Sequence, residues 1–288
     1  MKQEGAPNAR RIIMGLLLAE GDQPLSSRQV VAACALFGIS ENSARVALAR
    51  LSASGLIASA ERGSYLLGEA ATVLAGDVAT WREAEARLGD WSGDYIAVLT
   101  AALGRSDRTA LRRRERALDM LGFRELDKDC FVRPDNLVGG VDAVRARLYA
   151  LGLESEVPIF LASSFDRARA TRLPTLWDGA ALNQLYHRQH EALRRWLDKA
   201  EQLDPEDAAR ESFLLGGRAI RHIVFDPLLP APLVDADARH RFIQTVKQFD
   251  RAGYAIWQRL YQLKNAHPHS LDVSSPMRAD SMQSDTLQ

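Results

Sequence analysis

The sequence predicts an α+β chain of three units, and three observations carry that prediction. Residues 24–67 follow the order helix, turn, helix, hairpin; residues 91–165 follow the order strand, helix, strand, strand, helix, strand. From Pro174 to Leu263 the apolar residues recur at helical spacing, broken by prolines and without strand alternation. The expected boundaries are 1–70, a linker helix at 71–89, 90–170, a helical unit at 171–264 and a disordered tail at 265–288.

A chain of 288 residues can bury two or three substantial cores. Its 37 basic and 37 acidic residues cancel, which excludes a diffuse cationic coat and requires any nucleic-acid affinity to come from local patches. No apolar run reaches bilayer length, and MKQEGAPNARR lacks the apolar centre of a secretion signal, so a cytoplasmic location is expected, with no membrane partner. Cys34 lies in a helical stripe and Cys130 in a strand; both read as buried apolar residues rather than a disulfide.

In the first unit, Arg10 to Glu20 reads as a helix with Ile12, Ile13, Leu16 and Leu17 on its core face. Ser26 and Ser27 offer hydroxyls to the next helix start, Gly38 stops that helix, and Ser40 caps the third. Ala44, Ala47, Leu48 and Leu51 then form a buried stripe, leaving Asn42, Ser43, Arg45, Ala49 and Arg50 outside. Such a stripe suits either a solvated face or a helix that enters the major groove, where arginine bonds guanine and asparagine bonds adenine. The hairpin after it, with Arg62 beside Gly63 at the tip, completes a winged helix-turn-helix and favours the groove. The candidate DNA-facing set is Ser27, Arg28, Ser40, Asn42, Ser43, Arg45, Arg50 and Arg62, and the partner is double-stranded operator DNA. Glu69 to Leu88 reads as the linker helix, able also to join two subunits.

In the second unit, WSGDYIAVLT reads as a strand buried on both faces, Arg105 to Leu121 as a helix with an exposed Arg112-Arg113-Arg114 run, FRELD and CFVRP as a hairpin, Gly140 to Leu151 as a helix and VPIFLASSF as the last strand. This order predicts a ferredoxin-like sandwich. The arginine run reads as a solvated face, with neutralisation of phosphates as the alternative.

The third unit contains a helix over Pro174 to Ala200, a second opened by Asp204-Pro205, a rigid FDPLLPAPLV connection, and a last helix capped by Asp235 or Asp237. Trp177, Leu182, Leu185, Leu193 and Trp196 are core candidates. Trp177, Tyr186, Arg218, Arg221 and His222, with Phe225, form the candidate pocket for a small-molecule effector at the junction with the middle unit. His187 and His190 stand one turn apart near Glu191, either as ordinary hydrogen-bonded residues or as ligands of a metal-responsive regulator. No Gly-rich phosphate loop and no GxSxG elbow occurs, and no cofactor is expected.

Four segments in order resemble the PaaX family of bacterial transcriptional regulators, whose type member represses phenylacetate catabolism genes. They are GISENSARVALARLSASGLIASAERGSYLL, WSGDYIAVL with LGFRELDKDCFVRPDNL, LWDGAALNQLY, and RAIRHIVFDPLLPAPLVDADARHRF with FDRAGYAIW, spanning Arg10 to Leu263. The resemblance implies a homodimeric repressor whose middle domain is similar in fold to the CRISPR-associated Cas2 proteins and whose effector is an aryl-acyl-coenzyme A such as phenylacetyl-coenzyme A. The Cas2 fold raises nuclease activity, which uses an acidic residue at the end of the first strand. Here that strand ends at Leu99-Thr100-Ala101 and Asp94 lies near its beginning, so no enzyme is expected. A winged-helix module that binds a protein partner is the competing class.

Overall fold

The computed structural model describes residues 7–21, 23–71, 76, 80–104 and 106–266, a mixture of helices and two small antiparallel sheets. The first unit comprises α1 (Ala9–Glu20), β1 (Leu25–Ser26), α2 (Ser27–Ala35), α3 (Glu41–Ala53), β2 (Ile57–Glu61) and β3 (Ser64–Leu67). Ser26 and Gln29 satisfy each other's backbone N–H groups in a capping box that starts α2. Gly38, at φ 71°, turns the chain toward α3. The sheet has a third strand that the sequence reading lacks: β1 pairs with β3 through Leu25–Tyr65 and Ser26–Ser64, so the order is β1-β3-β2. At two residues it is too short for alternation to reveal it. Ile12, Ile13, Leu17, Val30, Cys34 and Leu48 fill the core, and burial pushes the Cys34 thiol up to about 11.

The middle unit comprises β4 (Tyr95–Leu99), α4 (Arg108–Met120), β5 (Arg124–Asp127), β6 (Cys130–Pro134), α5 (Gly140–Ala150) and β7 (Ile159–Ala162). All three strand pairings are antiparallel, in the order β5-β6-β4-β7. Both helices cover one face, where Ala117, Leu118, Val144 and Leu148 meet Ile96 and Val98. One expectation fails here. Arg112 and Arg113 are exposed, but Arg114 is buried: it precedes Ala117 and Leu118 by one helical turn and so shares their stripe. Its guanidinium donates to Glu154 at 2.8 Å and to the Gly104 carbonyl at 3.4 Å.

The opposite sheet face, with Tyr95, Ala97, Leu126 and Val132, is covered by the C-terminal helices. These are α6 (Arg167–Arg172), α7 (Gly179–Leu197), α8 (Pro205–Val224) and α9 (Ala236–Ala266). The helix expected from Pro174 begins only at Gly179. A 3-10 turn, Leu173–Thr175, precedes it; Asp178 caps it, and the Leu233 carbonyl leaves no room for a Cβ at Gly179. Asp204 and Asp235 cap α8 and α9 as read, and α9 runs through Ala266, past the expected start of the tail at 265. The rest of that tail lies outside the described residues.

The expected linker helix is corrected in its second half. Thr80–Arg87 is 3-10, with Trp81 and Ala84 buried against the C-terminal core, and residues 72–75 and 77–79 lie outside the described residues. Glu85 accepts hydrogen bonds from Gln244 at 2.7 Å and Lys247 at 3.3 Å and pairs with His240, so this segment is clamped to α9.

Two further ties join the units. Arg133 is fully enclosed and donates to the Leu121 carbonyl, the Pro134 carbonyl and Asn136 Oδ1, while Asn136 donates to the Leu228 carbonyl at 2.6 Å. Burial pushes its pKa down to about 9, which leaves it charged at neutral pH. At the other end, Ala209 of α8 and Trp257, Leu260 and Tyr261 of α9 are buried within the core of the first unit. Phe213 stands edge-on to Phe37 at 5.4 Å and to Trp257 at 6.4 Å, and Arg210 donates to the Leu36 carbonyl at 3.1 Å. Side chains of this size contribute roughly 2 kcal/mol each when buried.

A Cβ at Gly15 would lie 2.7 Å from the Phe213 ring, which is itself wedged between Phe37 and Trp257. Gly15→Val is expected to lower stability by about 1–3 kcal/mol, because overpacking outweighs the few tenths gained in helix propensity; thermal unfolding checks it. The Arg114 hydrogen bond holds the Glu154 carboxyl below the usual glutamate range. Its contribution is therefore complete above the unfolded-state pKa and is lost as the pH falls through the lowered folded-state value. Glu154→Gln is expected to cost about 2 kcal/mol at neutral pH and to flatten the acid limb of a denaturation series.

Candidate nucleic-acid interface

The exposed face of α3 is built by its own capping and by what lies beneath it. Ser40 accepts from the Ser43 backbone at 3.3 Å and donates to the Ser43 hydroxyl at 2.9 Å, fixing the first turn. Ala44, Leu48 and Leu51 bury one side against α1 and α2. Asn42, Ser43, Arg45, Val46, Ala49 and Arg50 are exposed on the rest. Arg45 pairs with Glu41 at 2.6 Å, one turn earlier; with both side chains about 60% exposed, the pair is weak and readily exchanged for another partner.

The hairpin is tied to the start of α2. Gly63, at φ 80°, turns its carbonyl toward Ser27, which donates both its backbone N–H at 2.8 Å and its hydroxyl at 2.7 Å. The Ser27 hydroxyl thus ties the hairpin, with Arg62 exposed next to Gly63, to the start of α2, where Arg28 is exposed. Ser40 likewise acts as a cap. On the other flank an open groove of about 640 Å³ runs between the start of α1 and α3, lined by Asn8, Arg10, Asn42, Ser43, Val46 and Arg50. The sequence reading omits Arg10 and Val46. Spacing cannot show that the first turn of α1 lies alongside α3, and an exposed valine carries no polar signature.

The effector candidates are not brought together. Trp177 is buried and donates to the Gly122 carbonyl at 2.8 Å, and Tyr186 is fully buried, stacked on Phe242 at 6.1 Å; both belong to the core. Arg218 and Arg221 are exposed on α8, with the Arg221 guanidinium 5.4 Å over the Phe225 ring, and His222 is half-buried beside them. Helical periodicity gives these residues one neighbourhood but not one cavity. His190 Nδ1 bonds Thr245 at 2.8 Å and His187 lies 4.0 Å from Asp235, so the two histidines have separate partners. Among the described residues no cluster of three or more His, Cys, Asp or Glu is arranged to hold a metal ion, and no helix is long and apolar enough to cross a membrane.

Residues 8–71 match the family model of PaaX-like proteins, and residues 177–259 match that of the PaaX-like protein C-terminal domain. No curated protein matches the chain. Among solved structures, an uncharacterized protein from Mycobacterium tuberculosis is 24% identical, with a TM-score of 0.55 over 86% of this chain and 99% of its own, a likeness of fold. The two family matches fall on the unit that carries the α3 face and on the helices that pack into its core, and the chain belongs to the PaaX family.

Proposed function

We propose that the chain is a cytoplasmic transcriptional repressor that binds operator DNA as a homodimer, with residues 8–67 as a winged helix-turn-helix. The observation that carries this reading is the α3 face: Asn42, Ser43, Arg45 and Arg50 stand exposed outside its buried apolar stripe, Arg10 lines the groove beside them, and Arg28 and Arg62 are exposed on α2 and the hairpin. In a chain of zero net charge such a concentration supplies local phosphate affinity. Asn42, Arg45 and Arg50 read base edges in the major groove; Arg10, Arg28 and Arg62 hold phosphates on either side. A dimer places two such helices about one helical turn of DNA apart, or a multiple of it.

The middle unit is read as a ferredoxin-like sandwich with a structural role, and the effector as an aromatic acyl-coenzyme A thioester of a phenylacetate-like catabolic pathway. The type member of the family supports the ligand class. The exposed Arg218 and Arg221 on α8, with Phe225 just past its end, support a place where an anionic, aromatic-bearing ligand is held. Release follows if the ligand binds the DNA-incompetent arrangement more tightly, a coupling of about 1–3 kcal/mol.

A gel-shift with duplex DNA flanking the protein's own reading frame tests the central claim: a discrete retarded complex is expected, and none at any protein concentration sinks it in favour of a protein-binding module. Arg50→Ala is expected to lose about 1–3 kcal/mol of specific binding with little change in nonspecific binding. Arg62→Ala is expected to weaken all sequences alike and reduce the slope of log affinity against log salt by about 1. Titration at several salt concentrations separates the two.

A further inference from the structure

Val46 stands at the centre of the outward face of α3, 41% exposed. Asn42, Val46, Ala49 and Ala53 recur at steps of four, three and four residues and are all exposed, so they form the crest of the helix opposite Ala44, Leu48 and Leu51. Arg45 and Arg50 flank this crest. Beyond Asn42 it is apolar and small, which allows the helix axis to approach a surface closely between two long cations. Val46 is the one large apolar side chain on it, and it also lines the groove toward Arg10. Its β-branched side chain is a poorer helix former than alanine and gains no core packing in return.

We propose that Val46 is a specificity-determining residue that packs against the 5-methyl group of a thymine in the major groove. The inference rests on the DNA-binding reading above and adds to it the kind of base edge met at the centre of the helix. A valine neither donates nor accepts hydrogen bonds, so it cannot select among the donor and acceptor patterns of guanine, cytosine or adenine. The thymine methyl is the one apolar group that the major groove presents.

The test begins with selection, by the full-length protein, of duplexes from a pool with a randomised centre. Each thymine of the enriched site is then replaced singly by deoxyuridine, which removes the methyl and nothing else. At one thymine per half-site the uracil duplex is expected to bind about fourfold more weakly, the effect of one buried methyl. At that position Val46→Ala is expected to bind the thymine and uracil duplexes equally. Indifference of the unaltered protein to every replacement overturns the assignment, as does a methyl effect that Val46→Ala retains. Both outcomes leave the DNA-binding reading standing, because an enriched duplex exists. Failure to enrich any duplex overturns both.

Discussion

The packing of α8 and α9 into the core of the first unit is the constraint on which the arrangement of this chain depends. Trp257, Leu260, Tyr261 and Ala209 share one apolar cluster with Ile12, Ile13, Leu17 and Leu48, so the small first unit completes its core with side chains from the C-terminal end of the chain. A domain of its size buries too little surface to be robust unaided. The helices that stabilise it also fix α1 and α2, and α3 lies on those two helices. Its outward face is therefore held by the C-terminal half of the chain.

The same pair of helices anchors the chain elsewhere. α9 clamps the 3-10 segment through Glu85 and Asp250, the latter pairing with Arg82, and it buries Phe242, Val246 and Phe249 against α7 and α8. The loop between α8 and α9 covers the second face of the middle sheet and receives the Asn136 hydrogen bond. A displacement of α8 is thus simultaneously a displacement of the Phe213 wedge against α1 and of the cover on Ala97 and Val132. Interiors packed to this degree respond by switching between arrangements rather than by bending.

Local rules made much of this legible. Ser26, Ser40, Asp204 and Asp235 cap helices because a hydroxyl or carboxylate beside an apolar period satisfies orphan N–H groups wherever the chain folds. Gly38 and Gly63 turn because only glycine takes positive φ without cost. What local rules do not reveal depends on neighbours remote in sequence. Arg114 is buried because Glu154, on the loop after α5, arrives to neutralise it, and an arginine run looks solvated until that partner is placed. Trp177 reads as both a core residue and a pocket wall, and Tyr186 as a pocket wall, because aromatic side chains suit both a ligand and a core; the sheet face and α9 claim them. Thr80–Arg87 has helical composition, yet Trp81 and Ala84 meet their partners at three-residue spacing, which suits a 3-10 turn. Of the α3 face, the exposure of the polar members follows from periodicity, whereas the bond from the Ser27 hydroxyl to the hairpin turn does not, because Gly63 is 36 residues away.

The distribution of charge follows from the same packing. Many of the arginines are consumed inside the fold or on its own carboxylates: Arg133 among carbonyls, Arg114 on Glu154, Arg169 and Arg172 on Asp127. That pairing holds the Asp127 carboxyl below its usual range. With such guanidinium groups paired and no net charge, the long-range field is weak beyond a Debye length of about 10 Å at moderate salt. An arginine at the rim of α3 must then act by contact, and contact depends on how precisely α1, α2 and the hairpin hold that rim. If that rim meets DNA as proposed, the tether from Ser27 to Gly63 and the wedge of Phe213 behind Gly15 bear on recognition as much as on stability, since side chains displaced by an ångström at such a surface lose their hydrogen-bond geometry.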